Sequence, residues 1–108
     1  MNYYQLAHLP AKEFLRGFWG RAIHTQMATL IYWEVDPEAV LPLHQHPHEQ
    51  IVNLLEGEFE MTIEGKTYLL KAGDVLVIPS GALHEGRAMS KPCKILDVFC
   101  PVREDYKI

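Results

Sequence analysis

Short apolar stretches separated by turns recur along the whole chain. Phe59, Met61 and Ile63 alternate with polar residues, which is the pattern of a strand with one solvated face. Residues 51–55 and 75–78 are continuous apolar runs, typical of short buried strands. Further strands are predicted at about residues 23–35, 40–43, 67–70 and 94–100.

Glycine and proline residues mark the ends of these predicted strands. Asp36-Pro37 ends the strand at 23–35, Glu64-Gly65 forms a hairpin turn, and Pro79-Ser80-Gly81 follows residue 78. No segment predicts an amphipathic helix longer than about two turns, although residues 11–16 are ambiguous. Strands at intervals of about eight to twelve residues, joined by such turns, predict an all-β sandwich or barrel.

Length and composition narrow the class of protein. A chain of 108 residues fits a single domain with one core, and a hydrophobic content of 48% argues against disorder. The net charge of -4 argues against nucleic-acid binding, which needs a basic surface. Because the N-terminus lacks the pattern of a secretory signal and no apolar run approaches the ~20 residues of a membrane span, we expect a cytoplasmic protein.

The two cysteines are predicted to be free thiols. Cys93 and Cys100 are seven positions apart at the end of the chain, and on one strand they would be ~23 Å apart at ~3.3 Å per residue. A disulfide needs Cα atoms within about 7 Å, so a bridge within one strand is excluded. Two free thiols are typical of a reducing compartment.

Four of the six histidines form the most informative cluster in the sequence: His44, His46, His48 and His84. In an extended chain His44 and His46 point to the same side, and Gln50 continues that alternation. Imidazole is the commonest protein ligand for divalent transition metals. An isolated His-x-His pair is more often a feature of the protein surface. The spacing of these histidines relative to other residues in the chain therefore decides whether they are interpreted as metal ligands.

That spacing resembles the two motifs of the cupin superfamily. The first, G-x5-H-x-H-x3,4-E-x6-G, spans about residues 38–57, and the second, G-x5-P-x-G-x2-H-x3-N, spans about residues 73–88. The matching positions are His44, His46, Gln50 and Gly57, then Gly73, Pro79, Gly81 and His84. The resemblance implies a single cupin domain over residues 1–108, an all-β double-stranded β-helix (jelly-roll) barrel. It also implies one divalent ion, Zn, Ni, Mn, Fe or Co, on His44, His46, Gln50 and His84.

Three positions depart from the cupin motifs. Glu38 replaces the first glycine and Ala88 replaces the final asparagine. Both of these motif positions have structural roles, the first of them in a turn. Gln50 replaces the usual glutamate ligand, and its amide oxygen can bind a metal without adding charge, which leaves the ion a stronger Lewis acid. Glu49 is predicted to face the other way, and the family pattern gives His48 no ligand role.

A second cluster of candidate residues lies near the C-terminus. Ile95, Asp97 and Phe99 share one face of the last predicted strand, and Asp97 is the only charge in the apolar run 95–100. A carboxylate in such a strand is either an edge charge or a buried functional group, and a barrel favours the second. Arg103 follows the strand end and suits the binding of a substrate carboxylate through two hydrogen bonds, or a solvated ion pair with Glu104 or Asp105.

Together the histidine segment and this tail resemble the pectin-degradation cupins. Those metal proteins convert 4,5-unsaturated uronates into open-chain 5-keto-4-deoxyuronate. The resemblance implies a sugar-acid substrate, a homodimer, and catalytic roles for Asp97, Phe99 and Arg103. Two other functions stay open: a cupin metal-dependent oxygenase, and a non-enzymatic cupin that binds a small molecule.

Overall fold

The computed structural model describes residues 1–107 and consists almost entirely of short strands. Its ten strands are β1 (Lys12–Leu15), β2 (Phe18–His24), β3 (Thr29–Val35), β4 (Val40–His44), β5 (Glu49–Glu56), β6 (Glu58–Ile63), β7 (Lys66–Lys71), β8 (Val75–Ile78), β9 (His84–Ala88) and β10 (Cys93–Cys100). Three-residue 3-10 helices at Leu6–His8 and Glu104–Tyr106 flank them. Within residues 1–107, no helix is long and apolar enough to cross a membrane.

The strands pair antiparallel in two sheets. The larger sheet has the order β1-β2-β3-β10-β5-β8, and the smaller has the order β4-β9-β6-β7. Each sheet therefore contains strands that are distant in sequence, which is the arrangement of a jelly roll. The all-β prediction is confirmed, and the ambiguous residues 11–16 supply a strand, β1.

The alternation along each strand directs one row of side chains into the space between the sheets. In β10, Cys93, Ile95, Asp97 and Phe99 are buried, and the residues between them are more exposed. Phe59 and Met61 of β6 approach from the opposite sheet. These two side chains and the buried residues of β10 other than Asp97 belong to one apolar core. The predicted shared face of Ile95, Asp97 and Phe99 is therefore correct, and it places a carboxylate inside the protein.

Both cysteines are free, as predicted. They lie at the two ends of β10, with Cys93 buried and Cys100 exposed. Burial raises the pKa of the Cys93 thiol to about 12. This thiol is therefore protonated at neutral pH and packs as an apolar side chain.

The prediction of one continuous strand at residues 23–35 is wrong, because a turn separates β2 from β3. The Thr25 hydroxyl accepts hydrogen bonds from the backbone N–H groups of Met27 (3.2 Å) and Ala28 (3.0 Å). The Thr25 N–H donates to the Ala28 carbonyl at 2.8 Å, which closes the turn. The sequence has no glycine, proline or asparagine here, and a threonine hydroxyl stabilises the reversal instead.

Positive φ angles explain two positions of the first cupin motif. Glu38, at the place of the usual glycine, retains a left-handed conformation with φ of 63°. Gly57 has φ of 84°, and a Cβ there would lie 2.7 Å from both Cys93 Cβ and the Pro92 carbonyl oxygen. Gly57 is thus required both for its backbone angle and for the close passage of the segment that leads into β10.

Gly57→Ala is expected to destabilise the protein more than Gly65→Ala. Both glycines have positive φ, but a Cβ at Gly65 meets nothing within 4 Å. The Gly65 variant should lose about 1 kcal/mol from backbone strain, and the Gly57 variant about 1–3 kcal/mol more from overpacking. Urea unfolding of both variants measures the difference. Equal losses would show that the contact with Cys93 costs nothing.

Candidate metal centre

Two of the candidate histidines face each other across a strand pair. His44 is the last residue of β4, His84 is the first residue of β9, and the two are register partners. Their ring centroids are 4.1 Å apart, within the ~6 Å that one shared ion requires. After the Pro79-Ser80-Gly81 turn, the chain thus returns to the histidine segment as strand β9.

The third histidine, His46, lies in the loop between β4 and β5. The backbone N–H of Gly81 donates to the His46 carbonyl at 2.8 Å, and the Ser80 hydroxyl donates to the Pro47 carbonyl. The assumption of one extended chain from residue 44 to residue 50 is therefore wrong, since Pro47 and these hydrogen bonds turn the chain. The loop instead brings the His46 ring to 4.9 Å from the His84 ring.

Hydrogen bonds to the backbone fix the tautomer of all three rings. Each Nδ1 lies within hydrogen-bond distance of a carbonyl oxygen, which only accepts, so each Nδ1 carries the proton. The acceptors of His44, His46 and His84 are the carbonyl oxygens of Pro42 (2.8 Å), His48 (3.0 Å) and Ala82 (2.9 Å), respectively. The lone pair of each ring is consequently on Nε2, the arrangement that metal-ligating histidines adopt.

These lone pairs converge on a small region. The ligand atoms of His44, His46 and His84 all lie within 4.8 Å of one another. The Nε2 of His84 is buried without a hydrogen-bond partner. The Nε2 of His46 lies 3.1 Å from the Gln50 side-chain oxygen, and with Nδ1 protonated neither atom has a hydrogen to donate. Such an arrangement of acceptors is suited to a cation between them.

The local environment favours the neutral, metal-binding form of two of these histidines, His46 and His84. Burial lowers the pKa of His84 to about 4, and the neighbouring His44 and His46 contribute in the same direction. Burial, together with the charge of Arg103, also lowers the pKa of His46. Rings that are neutral at pH 7 need not lose a proton before they coordinate an ion.

The donor set therefore fits a divalent transition metal. Three imidazole nitrogens and one amide oxygen are available, and imidazole suits Zn, Cu, Fe and Ni. Glu49 points outward and is exposed, as the sequence predicts. His48 does not belong to the three-histidine group, although its ring lies 5.6 Å from that of His46.

A cavity of about 290 Å³ opens beside this cluster, between the two sheets. His44 and Gln50 lie on its wall, and so do the three residues predicted for catalysis: Asp97, Phe99 and Arg103. Most of the remaining wall is aromatic or aliphatic: Phe14, Leu15, Phe18, Trp33, Leu41, Pro42, Val52, Phe59, Met61, Ile95 and Tyr106. The structure thus brings the two sequence clusters together at one cavity.

Asp97 is the buried carboxylate of this cavity. Its Oδ2 accepts a hydrogen bond from the Trp33 indole N–H at 3.0 Å, and its Oδ1 is buried without a partner. Burial raises the pKa of Asp97 to about 6, opposed by the nearby Gln50 side chain, by the hydrogen bond from Trp33 and by the charge of Arg103. The desolvation of the carboxylate therefore outweighs the influence of these neighbouring groups on its pKa.

Arg103 is buried rather than solvated. Its Nε and Nη2 donate to Asp105 at 3.0 Å and 2.8 Å, and its guanidinium lies over the rings of Tyr106 (4.1 Å) and Phe99 (4.7 Å). The ion pair with Asp105, one of the alternatives left open by the sequence, is present, although the Arg103 side chain is buried and not solvated. Because Asp105 occupies one edge of the guanidinium, a substrate carboxylate would meet the remaining edge, which includes Nη1.

The sequence interpretation did not identify Trp33 and Tyr106 as part of this site. A tryptophan in a buried strand needs a hydrogen-bond acceptor for its N–H. The sequence could therefore have indicated that Trp33 contacts a buried polar group. Tyr106 follows β10 and reaches the cavity only because the chain folds back in the short helix Glu104–Tyr106. Its position depends on packing against Phe14, Trp33 and Phe99, which no local pattern indicates.

Comparison with known proteins gives matches to one family. The family model described as "Cupin domain" matches residues 31–99. The "Pectin degradation protein KdgF" of Dickeya dadantii is 33% identical over 64 residues, which cover 58% of this chain and 58% of that protein. The "Quercetin 2,3-dioxygenase" of Bacillus subtilis is 40% identical over 57 residues, which cover 51% of this chain and 17% of that protein. The matches therefore span less than two thirds of these curated relatives.

Solved structures match over a longer part of the chain. The structure of KdgF from Halomonas sp. has a TM-score of 0.93 and 27% identity, and the match covers 99% of both chains. A mutant oxalate decarboxylase from Bacillus subtilis has a TM-score of 0.78 and 19% identity, covering 91% of this chain and 29% of that one. The second likeness concerns the fold alone.

His44→Ala is expected to remove bound metal and to lower the melting temperature of the metal-loaded protein, because metal binding is coupled to folding. Metal analysis of the purified protein and thermal unfolding with and without a chelator measure both effects. His48→Ala is the matched control, since His48 lies outside the three-histidine group, and it should retain metal. Retention of a full equivalent of metal by the His44 variant would contradict the ligand assignment.

Proposed function

Because the chain belongs to the cupin family, we propose that it is a metal-dependent enzyme that converts 4,5-unsaturated uronates into open-chain 5-keto-4-deoxyuronate. Its relatives include a pectin degradation protein and a quercetin dioxygenase. The similarity to the pectin degradation protein, together with the match to the Halomonas KdgF structure, supports the sugar-acid substrate.

The observation that carries the proposal is a buried carboxylate beside the candidate metal ligands. Asp97 lines the same cavity as His44 and Gln50, and one of its oxygens has no hydrogen-bond partner. A buried carboxylate with one oxygen left unpartnered in an apolar cavity costs free energy, so it is expected to have a function there. A group that accepts a proton and then returns it is what the ring-opening reaction needs.

The proposed reaction moves one proton within the substrate. Asp97 takes the proton of the anomeric hydroxyl, a carbonyl forms at C1, and the bond between C1 and the ring oxygen breaks. The electron pair of that bond remains on the former ring oxygen as an enolate. Protonated Asp97 then delivers the proton to C4, which leaves a ketone at C5. No oxidant or reductant is consumed.

The other residues bind and orient the substrate in this scheme. Arg103, through the edge that Asp105 leaves open, contacts the substrate carboxylate. Phe99 packs beneath the guanidinium and beside the His46 ring, and so holds the two groups apart at a fixed distance. A divalent ion held by His44, His46, Gln50 and His84 would supply Lewis-acid stabilisation of the developing negative charge.

A cupin oxygenase is the second candidate, because the quercetin dioxygenase is 40% identical over the segment that it shares with this chain. An oxygenase would use the same histidines but would consume dioxygen. A non-enzymatic sugar-binding cupin is a third candidate. It would bind unsaturated uronates without converting them.

We further propose that the enzyme acts in the cytoplasm as a homodimer on a free small-molecule sugar acid. The acidic net charge is consistent with a protein that binds no nucleic acid. The apolar side chains of Leu55, Val75 and Val77 are exposed on the larger sheet, which supports a partner at that sheet.

The test of the proposed function is an anaerobic absorbance assay on unsaturated galacturonate. The purified protein, loaded separately with Zn, Ni, Mn, Fe and Co, should remove the absorbance of the conjugated double bond in the absence of dioxygen. His44→Ala treated in the same way is the control and should be inactive. If turnover appears only with dioxygen, the oxygenase is correct. If the substrate binds but its absorbance persists with every metal, the protein is a binding module.

Asp97→Asn and Arg103→Ala are expected to have different kinetic effects. The first should lower turnover by ~10²-fold or more at unchanged metal content, the usual effect of losing a positioned acid or base. The second should mainly raise KM, because it removes a binding contact that is present before and during the reaction. Steady-state kinetics of both variants measure the difference. Near-full turnover by the Asp97 variant would mean that another group moves the proton.

A further inference from the structure

A tryptophan that the reaction scheme does not use holds the proposed acid–base group. The Trp33 indole N–H donates to Asp97 Oδ2 at 3.0 Å, and both residues are buried. They lie on neighbouring strands: Ile95 is the register partner of Trp33, and Asp97 is that of Ile31. The hydrogen bond is therefore a diagonal contact on the inner face of the larger sheet.

The indole ring has little freedom to rotate. Its ring makes edge contacts with Phe14 (5.5 Å), Phe18 (6.0 Å) and Tyr106 (6.3 Å), at interplanar angles of 80° to 90°. On the neighbouring strand β2, a Cβ at Gly20 would lie 2.8 Å from Cζ3 of the indole. The missing side chain at Gly20 thus provides the space that the ring occupies, and the surrounding aromatic residues fix the direction of its N–H.

A fixed donor on one oxygen determines which oxygen of Asp97 remains free. Oδ2 is occupied by the indole, and Oδ1 is buried without a partner. The indole N–H holds Oδ2 in place, because an ionised carboxylate forms a strong hydrogen bond to its donor.

We propose that Trp33 is the positioning residue of Asp97: its N–H orients the carboxylate so that the free oxygen meets the substrate proton. This inference rests on the proposed function for the reaction that Asp97 performs. The hydrogen bond itself is a structural feature that can be examined without any substrate. Trp33 makes no proton transfer of its own, since the indole N–H only donates.

Trp33→Phe tests the proposal, because it keeps an aromatic ring and removes the N–H. Turnover on unsaturated galacturonate should fall by about 10-fold or more, since a small misplacement of a catalytic group is costly, while KM changes by less than about threefold. The matched control is Trp19→Phe, in the neighbouring strand, where the side chain is exposed. Trp19→Phe should keep wild-type kinetics. A Trp33 variant with wild-type turnover would overturn the proposal.

A double-mutant cycle separates positioning from a general effect on the fold. If Trp33 acts through Asp97, then Trp33→Phe should cause little further loss of turnover in the Asp97→Asn background. If Trp33 only supports the packing of the cavity, the two losses should multiply, and the proposal is overturned. Melting temperature and metal content, measured for all four proteins of the cycle, identify any variant that is not folded.

Nuclear magnetic resonance gives a readout that needs no activity. The chain has two tryptophans, Trp19 and Trp33, so two indole N–H signals are expected and Trp19→Phe assigns them. In Asp97→Ala, the Trp33 signal should move upfield and its hydrogen should exchange faster, while the Trp19 signal stays unchanged. An unmoved Trp33 signal would contradict the positioning proposal alone. Inactivity of the wild type on unsaturated uronates would contradict the proposed function alone.

Discussion

The hydrogen bonds from three histidine Nδ1 atoms to backbone carbonyl oxygens determine the chemistry of the whole site. Because His44, His46 and His84 each place a proton on Nδ1, each directs an Nε2 lone pair towards the same region. Lone pairs that face one another repel unless a cation lies between them. The fold that holds the three rings in place therefore creates a site that fits a divalent metal, even though no carboxylate belongs to the three-histidine group.

The second constraint is a carboxylate inside an otherwise apolar jelly roll. Asp97 occupies an inward position of β10, one of the two middle strands of the larger sheet, and is held there by the Trp33 indole and the fixed register with β3 and β5. Burial of a carboxylate opposes folding, because its charged form loses hydration. The neighbouring amide of Gln50 and the guanidinium of Arg103 offset part of this cost. A glutamate at position 50 would instead place a second negative charge beside Asp97, so the departure from the usual cupin motif is suited to this cavity.

Strand alternation and turn chemistry were sufficient to predict an all-β sandwich or barrel and the inward face of β10. The jelly roll and the convergence of His44 and His84 were implied only by the resemblance to the cupin motifs. The turn at Thr25 was missed because a side-chain hydroxyl, rather than glycine or proline, stabilises it. The bend at His46 depends on hydrogen bonds from residues more than thirty positions away. The contacts of Trp33 and Tyr106 likewise arise only when distant strands pack, and no sequence window contains them.

X-ray absorption spectroscopy at the metal edge of the loaded protein tests the central claim most directly. The structure predicts one metal per chain, with imidazole scattering from three histidines at ~2.0–2.2 Å and one further light ligand, the Gln50 oxygen. Gln50→Ala should change that fourth scatterer and leave the imidazole contribution intact. A spectrum with fewer than three imidazoles, or with a sulfur ligand, would contradict the account of how these four side chains form one site.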